Sequence, residues 1–297
     1  TGHALSFSQE RMWFMHQMAP DSSAYHIPLA IRLRGRVDTR ALGHALQQVV
    51  QRHAVLRTTF AVSEVGVEGR VSPHLDITLR EVPFEGSEDA LHAHLTSLSQ
   101  RPFDLTKGPL LRAELIRRGP DESVLAIVMH HLVSDQWSCF LLGRELGLAY
   151  SATIGQPVPA LPALPLQYAD YARWHRQWFN GHRRDRELAY WSQRLAGLQP
   201  LTLNEDHPRP PQPSFRGASV RLGLSREEFA ELSACGSAVG ASLSMVLLAA
   251  LDVLLMRHSG QTDVAVGVPI ANRNQLASEH LIGTFVNTLV LRTDLGG

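Results

Sequence analysis

Cysteine is nearly missing from this chain. Cys139 and Cys235, alone in 297 residues, are too few and too far apart for a disulfide framework or a zinc site, so a reducing cytoplasm is the expected compartment. Long hydrophobic runs are missing as well. No apolar stretch reaches bilayer-spanning length, and Thr1-Gly2-His3-Ala4-Leu5-Ser6 lacks a signal-peptide pattern, so no membrane association is expected. Nor is there an excess of one charge. The 28 basic and 28 acidic residues cancel, which removes any global field for nucleic acid. What is left is an α/β chain long enough to bury a substantial core in two lobes. Its fifteen histidines are mostly scattered singly among Arg and Gln, as surface residues would be.

Along the chain, Ser8-Gln9-Glu10-Arg11 opens a helix carrying Met12, Trp13, Met15 and Met18. Ile27 to Leu33 reads as a strand, and Asp38 caps a helix through Leu42, Leu46, Val49 and Val50. Val55 to Phe60 and Leu75 to Val82 read as strands, Ser87 to Leu98 as a helix. Leu110 to Ile116 and Ser123 to Met129 form a hairpin across Arg117-Arg118-Gly119-Pro120. A stiff passage with Pro157, Pro159, Pro162 and Pro165 marks a crossing between lobes, so the division is expected as 1–165 and 166–297. Beyond it Tyr168, Tyr171, Trp174 and Trp178 form an aromatic stripe at helical spacing, and Arg183-Arg184-Asp185-Arg186 reads as a solvated helix face, with a docking face as the other reading. A second proline cluster (Pro208, Pro210, Pro211, Pro213) precedes an expected strand from Ala218 to Leu224. Two helices follow, Arg226 to Val239 and Leu243 to His258, the second apolar enough to be expected in the interior. Strands from Asp263 to Pro269 and Phe285 to Arg292 flank an irregular Ala271-Asn272-Arg273-Asn274. The chain stops five residues after Arg292, with nothing resembling a natural terminus.

The stretch that asks for a chemical explanation is Met129-His130-His131-Leu132-Val133-Ser134-Asp135-Gln136-Trp137-Ser138. A wholly apolar strand, Val124 to Met129, runs into two imidazoles and a carboxylate just where a helix begins. Adjacent histidines on a strand end cannot both face one ion without strain, and no His-x-x-x-His occurs, so no metal site is expected. No Gly-x-Ser-x-Gly elbow or Cys-His pair supports a nucleophilic triad. Both rings could be hydrogen-bonded inside the core. Alternatively, because a strand alternates its faces, one ring could face a cleft as proton acceptor while the other is held inside. Asp135, just inside the helix, could pair with an arginine and fix the loop. Spacing leaves these readings open, the cleft-facing one ahead.

His130-His131-Leu132-Val133-Ser134-Asp135-Gln136 resembles the His-His-x-x-x-Asp-Gly motif of nonribosomal peptide synthetase condensation domains. Leu5 to Phe14, Arg52 to Phe60, Tyr168 to Trp174 and Ile282 to Leu289 resemble further motifs of that family, in the family's order. The resemblance implies a two-lobed fold similar to chloramphenicol acetyltransferase, with a mixed β-sheet in each lobe and a tunnel between them. The family's last motifs and much of its second lobe would lie beyond residue 297, leaving that lobe incomplete. It implies donor and acceptor carrier proteins and an adjacent adenylation domain as partners. No cofactor would be bound directly; the acyl groups would ride on phosphopantetheine arms, or on coenzyme A for a starter donor.

By motif position His131 is the reacting histidine, His130 supports the loop from inside, and Asp135 pairs with an arginine of the second motif, Arg57 in preference to Arg52. Ser138 serves as a helix-start hydrogen bonder or a substrate contact; Trp174 and Asn287 are tunnel or inter-lobe positions. Gln136 replaces the family's glycine and is expected to narrow or polarise the donor side. The opening motif is unlike that of domains taking D-configured donors. It fits L-aminoacyl donors and fatty-acyl starter domains equally, and Gln136 inclines the reading to the starter type. An epimerisation domain, a stand-alone coenzyme A-dependent acyltransferase and a non-catalytic platform share the fold and remain rivals.

Overall fold

The computed structural model describes residues 2–64, 66–211 and 217–296. It divides into two compact units: Thr1–Arg183 with Ala271–Asn287, and Arg184–Ile270 with Thr288–Gly297. The first division therefore falls after Arg183 rather than at residue 165. The reason is that the aromatic stripe packs inward, with Tyr168 and Ala172 fully buried in the first unit's core.

The first unit is built on a four-stranded mixed sheet in the order β2 (His26–Arg34), β7 (Glu122–His130), β6 (Leu111–Arg117), β5 (Leu79–Pro83). β7 runs antiparallel to both β2 and β6, and β5 runs parallel to β6. Helix α3 (Glu88–Gln100) lines one face with Pro28, Ala30 and Val124. Helix α4 (Gln136–Thr153) lines the other with Ile31, Leu33 and Leu125. Covered on both sides, β7 is apolar without alternation, as a central strand must be. Helix α2 (Thr39–Arg52) packs beside α4 and is capped by the Asp38 carboxylate. A smaller antiparallel sheet joins β1 (Gly2–Ala4), β4 (Gly66–Val71) and β3 (Thr58–Ser63). Helix α1 (Phe7–Met18) begins in a reciprocal capping box between Ser6 and Gln9, and α5 (Tyr168–Trp178) follows the proline passage.

Three strand expectations change. Residues 54–57 form a 3₁₀ turn before β3, so the strand starts at Thr58. Leu75 to Ile77 lies outside β5 because the Gln47 side chain takes over its backbone: Nε2 donates to Leu75 O (2.7 Å) and Oε1 accepts from Ile77 N–H (2.9 Å). Ala218 to Leu224 is not a strand; no described segment pairs with it, and Val220 and Leu222 are exposed. Pro213 lies outside the described residues.

The second unit holds α6 (His182–Arg194, which starts just before it), α7 (Arg226–Ala238), α8 (Leu243–Ser259) and the paired strands β8 (Asp263–Ile270) and β9 (Asn287–Asp294). Helix α6 carries the Arg183–Arg186 cluster and buries none of its residues. α8 departs from expectation. Asp252 is its buried residue, whereas Met245, Leu251 and Leu254 are exposed, because no described element covers that face. No single helix is long and apolar enough to cross a membrane among the described residues.

Inside the first unit, Glu145 of α4 is buried between His53 Nε2 (2.8 Å) and Arg52 Nε (3.1 Å) of the α2 end. Removing one side of such a buried pair costs roughly 3–5 kcal/mol. Glu145→Ala is expected to lower stability on that scale in urea unfolding, and Glu145→Gln by clearly less. Equal midpoints for the Ala variant and the parent would show that α2 and α4 do not depend on this contact.

Candidate active site

The two histidines part company where β7 ends. His130 stays in register opposite His26 on β2 and is buried, ringed by His16 at 5.7 Å, His26 at 5.8 Å and Phe103 at 6.1 Å between centroids. Its Nδ1 accepts the Leu132 N–H (3.1 Å), so the neutral ring carries its proton on Nε2, which has no partner among the described residues. Burial, and then the neighbouring His26, His16 and His131, lower its pKa from 6.5 to about 3. His131 is half-buried. Its N–H donates to Tyr25 O (2.8 Å), and ring Nδ1 stands 3.4 Å from Thr284 Oγ1.

The loop after these rings is tied down from two sides. From α1, Gln9 Nε2 donates to Leu132 O (2.9 Å). From α4, Asp135 caps the helix, its Oδ1 accepting from Ser138 N–H (2.8 Å) and Ser138 Oγ–H (2.7 Å).

The partner of Asp135 is Arg273, at 3.2 Å, with both side chains buried. Neither Arg57 nor Arg52 fills that role. The Arg57 guanidinium donates instead to the carbonyls of Val50, Gln51, Ser72 and Pro73, holding the end of α2 to the end of β4, while Arg52 goes to Glu145. Arg273 also donates to Leu281 O (2.7 Å), lies over the Phe285 ring (4.0 Å) and has its pKa lowered by burial, which Asp135 opposes. Asp135 Oδ2 accepts the Phe285 N–H (3.0 Å). The carboxylate thus fixes the Ala271–Asn287 segment as well as its own helix.

Ser138 is a hub of the same knot. Its hydroxyl oxygen accepts from Arg273 Nη2 (2.9 Å) and Gly283 N–H (3.0 Å), and it is fully buried. Gly283 is required on contact grounds: a Cβ there would sit 2.0 Å from the Tyr168 ring. Tyr168 donates its hydroxyl to Thr284 O (2.7 Å) and takes a bond from Ser6 Oγ (2.8 Å). Arg273 and Thr284 belong to this knot although spacing alone did not single them out, and Tyr168 of the aromatic stripe joins them.

The remaining candidates stand apart from this knot. Gln136 is exposed on the first turn of α4. Trp174 is partly exposed and stacks on Trp178 at 5.6 Å, and Asn287 is exposed at the start of β9. No cluster suited to hold a metal occurs among the described residues.

Residues 2–297 match the family model for the condensation domain, and the chain belongs to that family. It is 43% identical over 299 residues to a linear gramicidin synthase protein of Brevibacillus parabrevis, covering 99% of this chain and 6% of that protein. Its structure matches an X-domain solved in complex with OxyB from teicoplanin biosynthesis (TM-score 0.88, 32% identity, 100% of this chain and 66% of that one). It also matches the first condensation domain of the CDA synthetase (TM-score 0.84, 22% identity, 100% and 72%), a likeness of fold alone. The fold is accordingly the chloramphenicol acetyltransferase-like α/β fold that the motifs implied, with a mixed sheet in the first unit; the second unit departs from the expected mixed sheet, since its described strands form only the two-stranded pair β8–β9.

Two expectations follow from this geometry. Asp135→Ala strands the buried Arg273 charge and the Phe285 N–H, at a cost of roughly 3–5 kcal/mol, so its melting temperature should drop well below the parent's. Unchanged melting would remove Asp135 from the architecture. The second concerns acid. His130 has a folded pKa of about 3 against an unfolded value of about 6.5, so the unfolded chain takes up its proton first. Its contribution is complete above about pH 6.5 and is lost at about 1.4 kcal/mol per pH unit as pH falls towards 3. His16 and His26, also lowered chiefly by burial, add to the slope. Urea unfolding between pH 7 and 5 should be shallower in pH for His130→Gln than for the parent; parallel curves would contradict the assignment.

Proposed function

We propose that this domain forms an amide bond between a donor acyl thioester and the amine of an acceptor aminoacyl thioester, both carried on phosphopantetheine arms. The observation that carries the proposal is the split between the two histidines: His130 enclosed and neutral, His131 half-buried with its ring held by Thr284.

The chemistry asks little of the ground state. A free α-amino group has a pKa of roughly 7.7–8.0, so on the order of a tenth is already neutral near pH 7. Its nitrogen lone pair attacks the donor carbonyl carbon, and the nitrogen of the tetrahedral intermediate becomes cationic. The His131 imidazole removes that proton. Collapse then breaks the carbon–sulfur bond and releases the donor arm as a thiolate, which takes up the proton. Such help contributes roughly 10² to 10⁴ in rate. Asp135 and His130 act through the loop and touch no substrate.

The partners are a donor and an acceptor carrier protein and a neighbouring adenylation domain, in the cytoplasm. The full synthase relatives, of which this chain spans a small part, support that setting. The donor is either aminoacyl or peptidyl, or a fatty acyl chain in a starter role. Gln136 supports the starter reading by replacing the motif glycine, and the synthase relatives support the aminoacyl one. The X-domain likeness supports one rival, a platform that recruits a partner without chemistry.

The test uses the domain within its full-length protein, with loaded carriers and mass-resolved products. The parent should yield the mass of the condensed amide with either an aminoacyl or a fatty acyl donor, and the preferred one names the subtype. His131→Ala should retain turnover lowered by about 10² to 10⁴. Equal rates for that variant and the parent would remove His131 from the reaction. A parent with no product from either donor would favour the platform.

A further inference from the structure

Thr284 has one hydroxyl proton and two neighbours able to take it. Its Oγ1 lies 3.4 Å from His131 Nδ1 and 3.8 Å from Met12 Sδ, and Thr284 and Met12 are both buried. The residue cannot drift to suit either one. Gly283 is pinned by Ser138, the Thr284 carbonyl by Tyr168, and the Phe285 N–H by Asp135.

Two arrangements are open to the trio. If the hydroxyl donates to Nδ1, a single hydrogen bond forms, and the ring proton sits on Nε2. If the hydroxyl donates to the Met12 sulfur, its oxygen is free to accept from Nδ1–H, and two bonds form from the same atoms. The second arrangement leaves Nε2 with a lone pair. We propose that Thr284, backed by the Met12 thioether, holds His131 in the Nδ1–H tautomer, so that Nε2 is the nitrogen that accepts the amine proton. The inference deepens the amide-forming reading above and rests on it for the proton's source. The tautomer itself stands or falls without substrate.

Thr284 and Met12 are then positioning residues acting through His131. An unconstrained histidine side chain favours the Nε2–H tautomer, so the proposed state is one the site must impose. Met12 matters here for its sulfur rather than its bulk, since leucine fills a similar volume but accepts nothing.

The full chain labelled with ¹⁵N-histidine, with the His131 signals assigned by their loss in His131→Asn, reports the tautomer by long-range proton–nitrogen correlation. The parent should show Nδ1–H. Met12→Leu and Thr284→Val should both move His131 to Nε2–H, and Thr284→Ser should restore Nδ1–H. In the carrier-loaded assay, Met12→Leu and Thr284→Val should lower kcat roughly tenfold with the acceptor KM unchanged, less than the loss on deleting the imidazole. A parent in the Nε2–H form, or a Met12→Leu variant that keeps Nδ1–H, would overturn the proposal. Neither result would touch the amide-forming assignment, which the His131→Ala rate decides.

Discussion

The Asp135–Arg273 pair is the constraint on which the geometry around the two histidines depends. Both groups are enclosed, and an enclosed ion pair is a poor source of net stability compared with apolar packing of the same volume. Its effect here is geometric. The carboxylate has acceptor positions for the α4 N-terminus, the Ser138 hydroxyl, the guanidinium and the Phe285 N–H, and all are filled. Filling them sets the path of residues 283–285 to within hydrogen-bond tolerance. Thr284 therefore stands beside His131 because Asp135 holds the residue that follows it.

The same economy explains why two histidines occur in sequence. A strand end gives adjacent residues opposite faces, so a single register decides both environments. The pairing of His130 with His26 across β2 and β7 puts the first ring among Phe103, His16 and His26, where a charge is strongly disfavoured. The second ring then has to leave the sheet, its backbone caught by Tyr25 O. A cationic His130 would have to give up the Leu132 N–H that shapes the turn. The enclosed ring is thus a fixed acceptor for the backbone, and the half-buried one is the ring left partly open.

Local pattern made much of the fold legible: the apolar run of β7, the Asp38 cap, the hairpin before the histidines and the aromatic stripe of α5 all follow from periodicity and capping. The failures share a cause. β4, which contains Gly66 and Gly69, has no counterpart among the expected elements, and a Cβ at Gly69 would meet the His3 ring of β1. Leu75 to Ile77 looks like strand but finds its hydrogen bonds on a glutamine of α2. α8 looks like core, but whether an apolar face is covered depends on other elements. Arg273 was visible within an irregular Asn-Arg-Asn stretch, and no spacing rule links it to a carboxylate in another motif. Nothing short of the fold could have preferred it over Arg57, which an equally plain reading offered.

The dispersion of the motifs along the chain has a physical reason in this knot. Tyr168 occupies the space a side chain at 283 would need, and its hydroxyl bridges Ser6 at the start of α1 to the Thr284 carbonyl. Ser6 in turn completes the capping box with Gln9, whose amide holds the Leu132 carbonyl behind the histidines. The loop closes on itself through Phe285, Asp135 and Ser138. Each orphaned group inside a buried polar ring of this kind costs about 1–3 kcal/mol, so the bonds that are made hold the segments in place. Segments from the start, middle and end of the chain must therefore arrive together, and a change in any one of them is felt at the imidazole of His131.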